Sequence, residues 1–341
     1  MKIVIAHEGG VLTAHRDTRT WKAHTSLEQS SPECLVAHDR HRDVLFCGTF
    51  ESGVWKSENG GHWFQVGTET VTGSVTSLAA GRRANSNGYS PLFAGTEPSA
   101  LYRSDDGGAS WRRCDGLTDL PSASSWSFPP RPSTHHVKWI EEDPSRPEIL
   151  FLAIEAGALV VTPDGGNTWT DRVAGGPRDT HTLRMHAGAP GRIYAAAGDG
   201  YFESADSGRS WSRPREGLSH HYCWSIAVDV ADPDFRLMSA ASGPGSAHNA
   251  GRAESFIYRR TGQSTWHVAM EGLPEPAGTL RSVITAHPQT SGVYYLANNH
   301  GVFETRNGAE SWKWLDIPWP HPAGENAYPR VDDLLILPDS P

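Results

Sequence analysis

The sequence predicts an all-β protein, a seven-bladed β-propeller built from four-stranded antiparallel blades. Three observations carry the prediction. A short motif recurs along the chain, the segments between its copies break into short strand-like runs, and a strand missing at the N-terminus has a counterpart at the C-terminus.

The motif is clearest at Ser104-x-Asp106-x-Gly108-x-Ser110-Trp111, and returns at Thr162-x-Asp164-x-Gly166-x-Thr168-Trp169 and Ser204-x-Asp206-x-Gly208-x-Ser210-Trp211. Weaker copies occupy 13–23, 56–66, 258–268 and 304–314, with Asn59 and Asn307 in place of Asp. The aligned tryptophans are Trp21, Trp63, Trp111, Trp169, Trp211, Trp266 and Trp312, spaced 42 to 58 residues apart. Seven units of that length match propeller blades. Asp tolerates turn conformations and accepts from nearby amides, Gly allows positive φ, and Trp packs between sheets, so the motif reads as the turn between the third and fourth strands of a blade.

Each unit has the expected interior. The last contains "LRSVITAHP", "GVYYLANNH", "GVFETRNG" and "SWKWLDIP", runs rich in β-branched and aromatic residues bounded by Gly, Pro, Asn or Asp. No long segment has helical period. The first unit has "KIVIAHEGG", "VLTAHRD" and "TWKAHTS" but no inner strand, whereas "VDDLLILP" (331–338) is left over at the other end. Pairing 331–337 beside 2–7 would close the ring and remove its open edges. The expectation is one domain, 1–341, with the first blade shared between 1–28 and 328–338.

The motif resembles the Asp box, or bacterial neuraminidase repeat, of the superfamily that includes sialidases, sortilin-type receptors and photosystem II assembly factors. The resemblance covers nearly the whole chain. It implies a β-propeller and leaves activity open, because the Arg-Ile-Pro segment of sialidases is absent.

Composition excludes several classes. The formal net charge is −9 with acids and bases interleaved, so no Lys/Arg footprint for nucleic acid exists. No apolar stretch approaches the roughly 20 residues of a membrane span. "MKIVIAHEGG" reads as a strand rather than a signal-peptide core. The four cysteines, Cys34, Cys47, Cys114 and Cys223, lack CxxC spacing and read as buried thiols. A cytoplasmic location is the expectation.

Function is sought on one face. The insertions 117–134, 242–253 and 318–329 lie in loops on the face away from the Asp turns, where long loops on a rigid scaffold carry binding. Aligning the inner strands by their apolar pattern sets His135-His136 over Thr180-His181 and His221-Tyr222, followed by Arg281 and Arg330. The turns between second and third strands add Glu8, Glu51, Glu97, Glu155, Asp199 and His300 on the same face. His136, His181 and His221 are thus the candidate ligands of one divalent transition metal. Glu97, Glu155, Tyr222, Arg281 and Arg330 are the candidate catalytic groups, and no organic cofactor is expected. The set suits metal-assisted activation of a substrate oxygen or water, or acid–base catalysis with an arginine holding a carboxylate. Trp126 and Phe128 either stack on a sugar ring or pin their loop; with His300 they are the candidate ligand-binding residues. The expected function is a hydrolase or lyase acting on a small polar molecule or glycan. The alternative is a non-catalytic binding or assembly propeller with a protein partner.

Overall fold

The computed structural model describes residues 1–17, 20–38, 41, 43–319 and 329–338. Seven antiparallel sheets form a closed ring, each running from an inner strand at the axis to an outer strand at the rim. Blade 1 comprises Val331–Leu337, Lys2–His7, Gly10–Asp17 and Thr20–Ser26. The inner strands of blades 2 to 7 are Pro32–Ala37, Ser74–Ala80, Val137–Glu142, Thr180–Met185, Tyr222–Val228 and Val283–Ala286. Each packs against the next, and the last meets Val331–Leu337, which meets Pro32–Ala37. In blades 4 and 5 the fourth strand shrinks to the single bridges Val161↔Thr170 and Glu203↔Ser212. The expected closure is present: Lys2 pairs with Leu337 and the register runs on to His7 with Val331. The part of the first blade at 328, and most of the 318–329 insertion, lie outside the described residues.

The core is a set of layers between neighbouring blades. One holds Phe93 and Leu101 of blade 3 against Ile140, Leu152 and Val160 of blade 4. Another holds Tyr295 and Val302 of blade 7 against Ile3, Leu12 and Leu334 of blade 1. Second strands such as Ile193–Ala197 are buried at every residue because both their faces are covered. They therefore read as continuous apolar runs rather than alternating ones. The four cysteines are buried free thiols in these layers.

The recurrent turns show why their residues recur. Ser104 Oγ donates to Asp106 Oδ1 at 2.8 Å and accepts the Gly108 amide at 2.9 Å. Asp106 in turn accepts from the Ser110 amide at 2.9 Å and the Ser110 hydroxyl at 2.6 Å. Gly108 has φ of 86°, a left-handed conformation that a side chain disfavours. The same bonds recur at Asp164 and Asp206, where Ser210 and Ser204 hold the Asp206 carboxyl down at about 2. No helix among the described residues is long and apolar enough to cross a membrane.

Candidate functional site

One local irregularity builds the site. In blades 2 to 6 the pairing of inner and second strands slips by one residue near the channel mouth, skipping Glu33, Thr76, Lys138, His181 and Trp224 in turn. In blade 1 the slip skips Asp332. A β-bulge leaves one residue unpaired and re-aims its side chain. Here six bulges place six side chains around the axis, all lining the channel or the cavity at its mouth. The residues two positions before the bulged ones in blades 4, 5 and 6 are His136, Asp179 and Tyr222, and they form a second tier above the bulges.

The bulges correct the sequence alignment. His136 is equivalent to Asp179, not to His181, which belongs to the bulged tier with Lys138 and Trp224. His221 precedes the second tier by one residue and is exposed. His136 and His181 do meet, but at Glu155, and the third acidic or imidazole group beside them is Asp179. The reason is register: levelling Ile140, Leu183 and Ile226 sets Lys138, His181 and Trp224 in one tier and His136, Asp179 and Tyr222 in the next.

Glu155 is the hub. Its Oε2 lies 2.8 Å from His136 Nε2, and its Oε1 lies 3.7 Å from His181 Nε2. Burial alone would raise this carboxyl, but the His136 hydrogen bond, the His181 and His136 rings and Lys138 outweigh it and hold Glu155 well below the usual range. His181 Nδ1 faces the Cys223 carbonyl at 2.7 Å. A carbonyl only accepts, so Nδ1 carries a hydrogen, and Nε2 is the ring nitrogen left to face the carboxylates. That Nε2 is buried without a hydrogen-bond partner, 3.8 Å from Asp179 Oδ1. Asp179 Oδ1 accepts the Ala156 amide at 2.8 Å, and a side chain at Gly198 would collide with the Asp179 carboxylate. Burial and the Glu155 charge push the Asp179 carboxyl up, despite the opposing pull of His181.

The cavity above has a volume of about 560 Å³ and is lined by Phe50, Phe128, Lys138, Tyr222, Trp224 and Arg330, among others. Below it the axial channel narrows to a space of about 240 Å³ that shares Glu33, Lys138, Trp224 and Asp332 with it. Trp224 is clamped between cations, with the Arg281 guanidinium 4.2 Å and Lys138 Nζ 4.9 Å from its ring centre. It also lies 4.4 Å from the His181 ring. Tyr222 contacts His181 at 5.0 Å between ring centres, and its hydroxyl meets His248 Nε2 at 3.0 Å. Burial and the Glu155 and Asp179 charges push the Tyr222 phenol up, so it stays protonated.

The other expected residues take different places. Glu97 is committed to Arg131, which binds it through two nitrogens at 2.7 and 2.5 Å, and faces His136 Nδ1 at 3.6 Å. Arg281 is buried and lines the cavity, and its bonds to the Val331 carbonyl and to Asp332 also brace the closing strand. Arg330 is partly exposed at the rim beside Asp332. Phe128 lines the cavity edge-on to His136. Trp126 is buried in the layer between blades 3 and 4 with its Nε1 donating to Ser122, and so pins the long insertion. His300 reaches back to the Gly278 carbonyl at 3.3 Å and does not line the cavity. Sequence reasoning missed Asp179, Lys138, Trp224 and His248. The sequence signal for the bulged set is its place two residues before Leu35, Leu78, Ile140, Leu183, Ile226 and Leu334.

Fold and site together define a seven-bladed β-propeller with a carboxylate- and imidazole-lined pocket on its axis. No family model matches the sequence, and a search of curated proteins finds no match. Among solved structures the chain is similar to an ancestral GH74 enzyme, with a TM-score of 0.65, 17% identity, and coverage of 86% of this chain and 39% of that one. It is similar to the GH74 enzyme of Niastella koreensis at a TM-score of 0.65 and 18% identity, covering 91% and 53%. It is also similar to YCF48 bound to a D1 peptide, at a TM-score of 0.58 and 17% identity, covering 89% and 87%. The chain thus spans 39% and 53% of the length of the two GH74 enzymes. At these identities the likeness shows the fold.

Proposed function

We propose that the protein binds a small polar, glycan-type ligand in the mouth cavity and acts on it by a hydrolase- or lyase-type reaction at the cavity floor. The observation that carries this reading is the buried Glu155 hub, tied to His136 and His181 and opening into a cavity with aromatic walls. Pockets that position small ligands combine apolar and aromatic walls with a few convergent polar groups. Phe128 offers a ring to a sugar, while Lys138 and Arg330 offer positive charge to an acidic substituent. Glu155, held as the carboxylate, is the candidate group that orients the reacting hydroxyl or water. The Tyr222 hydroxyl, paired with His248, is a candidate hydrogen-bonding partner for the ligand.

The likeness to GH74 enzymes supports a hydrolase. The likeness to YCF48, solved with a D1 peptide and matched over most of both chains, supports a second reading: a propeller that binds a protein segment without chemistry. The test is a panel of neutral and acidic oligosaccharides, measured by calorimetry and by release of reducing ends. Wild type is expected to bind and turn over a member of the panel. Glu155→Gln is expected to lower turnover by about 10²–10⁴-fold, the usual worth of a positioned catalytic group, with KM little changed. A folded protein that binds no glycan but retains a peptide would move the balance to the second reading.

A further inference from the structure

We propose that Glu155, Asp179 and His181 form a three-ligand site for one divalent transition metal ion, zinc or manganese, on the floor of the mouth cavity. The inference deepens the reading above and rests on that cavity being the reactive centre.

Four features converge on it. One donor atom from each residue lies within 4.8 Å of the other two, and His181 Nε2 stands 3.7 Å from Glu155 and 3.8 Å from Asp179. Metal–ligand bonds of about 2.0–2.2 Å require only a small inward movement of such donors. His181 is the second feature. Its side chain is 0% exposed, its Nδ1–H is committed to the Cys223 carbonyl, and its Nε2, buried without a hydrogen-bond partner, faces both carboxylates and is the nitrogen free to ligate an ion.

The third feature is the outer support. His181 is oriented by Cys223, Glu155 by His136 and Asp179 by the Ala156 amide. Ligating groups in metal sites are held in this way by a second set of partners that fix ring orientation and tautomer. Asp332 and Glu97 show the contrast. They are carboxylates of the same mouth, but each is already paired to an arginine, Arg281 and Arg131 respectively. The two carboxylates facing His181 Nε2 have no arginine or lysine partner among the described ion pairs.

The fourth feature is the open side. Glu155 and Asp179 line the cavity, so the remaining coordination positions face the space where a ligand would sit. Three protein ligands with an open position are the pattern of a catalytic metal site, in which the ion polarises a substrate oxygen or a bound water. One imidazole nitrogen with two carboxylates suits zinc or manganese better than the all-oxygen preference of calcium or magnesium.

The experiment uses the full chain, stripped with chelator and titrated with ZnCl₂ and MnCl₂ by calorimetry, with metal content counted by mass spectrometry. Cobalt(II) substitution supplies a visible absorption band as an independent signature. One ion per chain is expected to bind. Glu155→Gln, Asp179→Asn and His181→Ala are each expected to weaken it by at least about 100-fold and to remove the cobalt band. His136→Gln is expected to weaken it by about 10–100-fold, the usual effect of losing an orienting partner. His181→Ala empties a buried position, so Asp179→Asn, an isosteric change at a partly exposed residue, keeps the test open if that variant does not fold. Absence of stoichiometric zinc or manganese binding, or binding that survives Asp179→Asn and Glu155→Gln, would overturn the site. Glycan turnover by protein with no metal affinity would overturn the metal while leaving the cavity reading. A metal bound without any glycan response would do the reverse.

Discussion

Asp106→Ala tests the account of the recurrent turns. Asp106 accepts three hydrogen bonds, from the Ser110 amide, the Ser110 hydroxyl and the Ser104 hydroxyl. Ser110 is exposed, so water replaces its lost partner and the loss there is about 0.5–1.5 kcal/mol. Ser104 is 1% exposed and already uses its oxygen to accept the Gly108 amide. Removing Asp106 leaves its buried O–H without an acceptor, which costs about 1–3 kcal/mol. Together about 1.5–4.5 kcal/mol should be lost. Asp106→Asn should cost about 1 kcal/mol or less, because the protein already uses the substitution. Asn307 in blade 7 accepts from the Ser311 amide at 3.1 Å and Thr305 Oγ1 at 2.8 Å, and donates to Ser311 Oγ at 3.0 Å. Bonds to Ser110 and Ser104 outweigh the effect of burial and lower the Asp106 carboxyl in the fold, so its contribution is present above the unfolded value near 4 and fades as pH falls through the folded one. Urea unfolding followed by tryptophan fluorescence at pH 7 measures all three proteins. An Asp106→Ala midpoint equal to wild type, or an Asn variant as unstable as the Ala variant, would refute the hydrogen-bond account.

Two further outcomes follow from the fold. Deleting residues 331–341 removes the inner strand of blade 1, exposes the edge of Lys2–His7 and opens two core layers, so calorimetry should show the cooperative transition lost. A sharp native-like melt in that truncation would count against ring closure as the source of cooperativity. His7 is 1% exposed and accepts the Gly9 amide at Nδ1, and burial lowers it to about 4 against the opposing pull of Asp332. The unfolded chain binds a proton near pH 6.5 that the folded one refuses until about 4, so stability should fall as pH drops through that window, by up to about 3 kcal/mol from this group. Comparing urea midpoints of wild type and His7→Gln from pH 7 to 4 isolates the term; parallel curves would remove it.

Much of this architecture could be read from the sequence because its determinants are local. The Asp turns need a hydroxyl, a carboxylate or amide and glycines at fixed spacing, and those residues recur at Ser104, Thr162 and Ser204. The closing strand was legible for the same reason: an unpaired inner strand at 331–337 matched a first blade that lacked one. Even the choice of face and of Glu155, His136 and His181 came from counting strands. What the sequence could not disclose was depth. A bulge adds one residue without changing the apolar pattern that follows, so Lys138, His181 and Trp224 turned into the channel while His136, Asp179 and Tyr222 took the tier above. Only the tertiary structure decided that Arg281 would pair with Asp332 and Glu97 with Arg131, and that Asp179, unremarkable in sequence, would face Nε2 of His181. Pairing across blades depends on which side chains reach the axis together, and that is a property of the closed ring rather than of any one repeat.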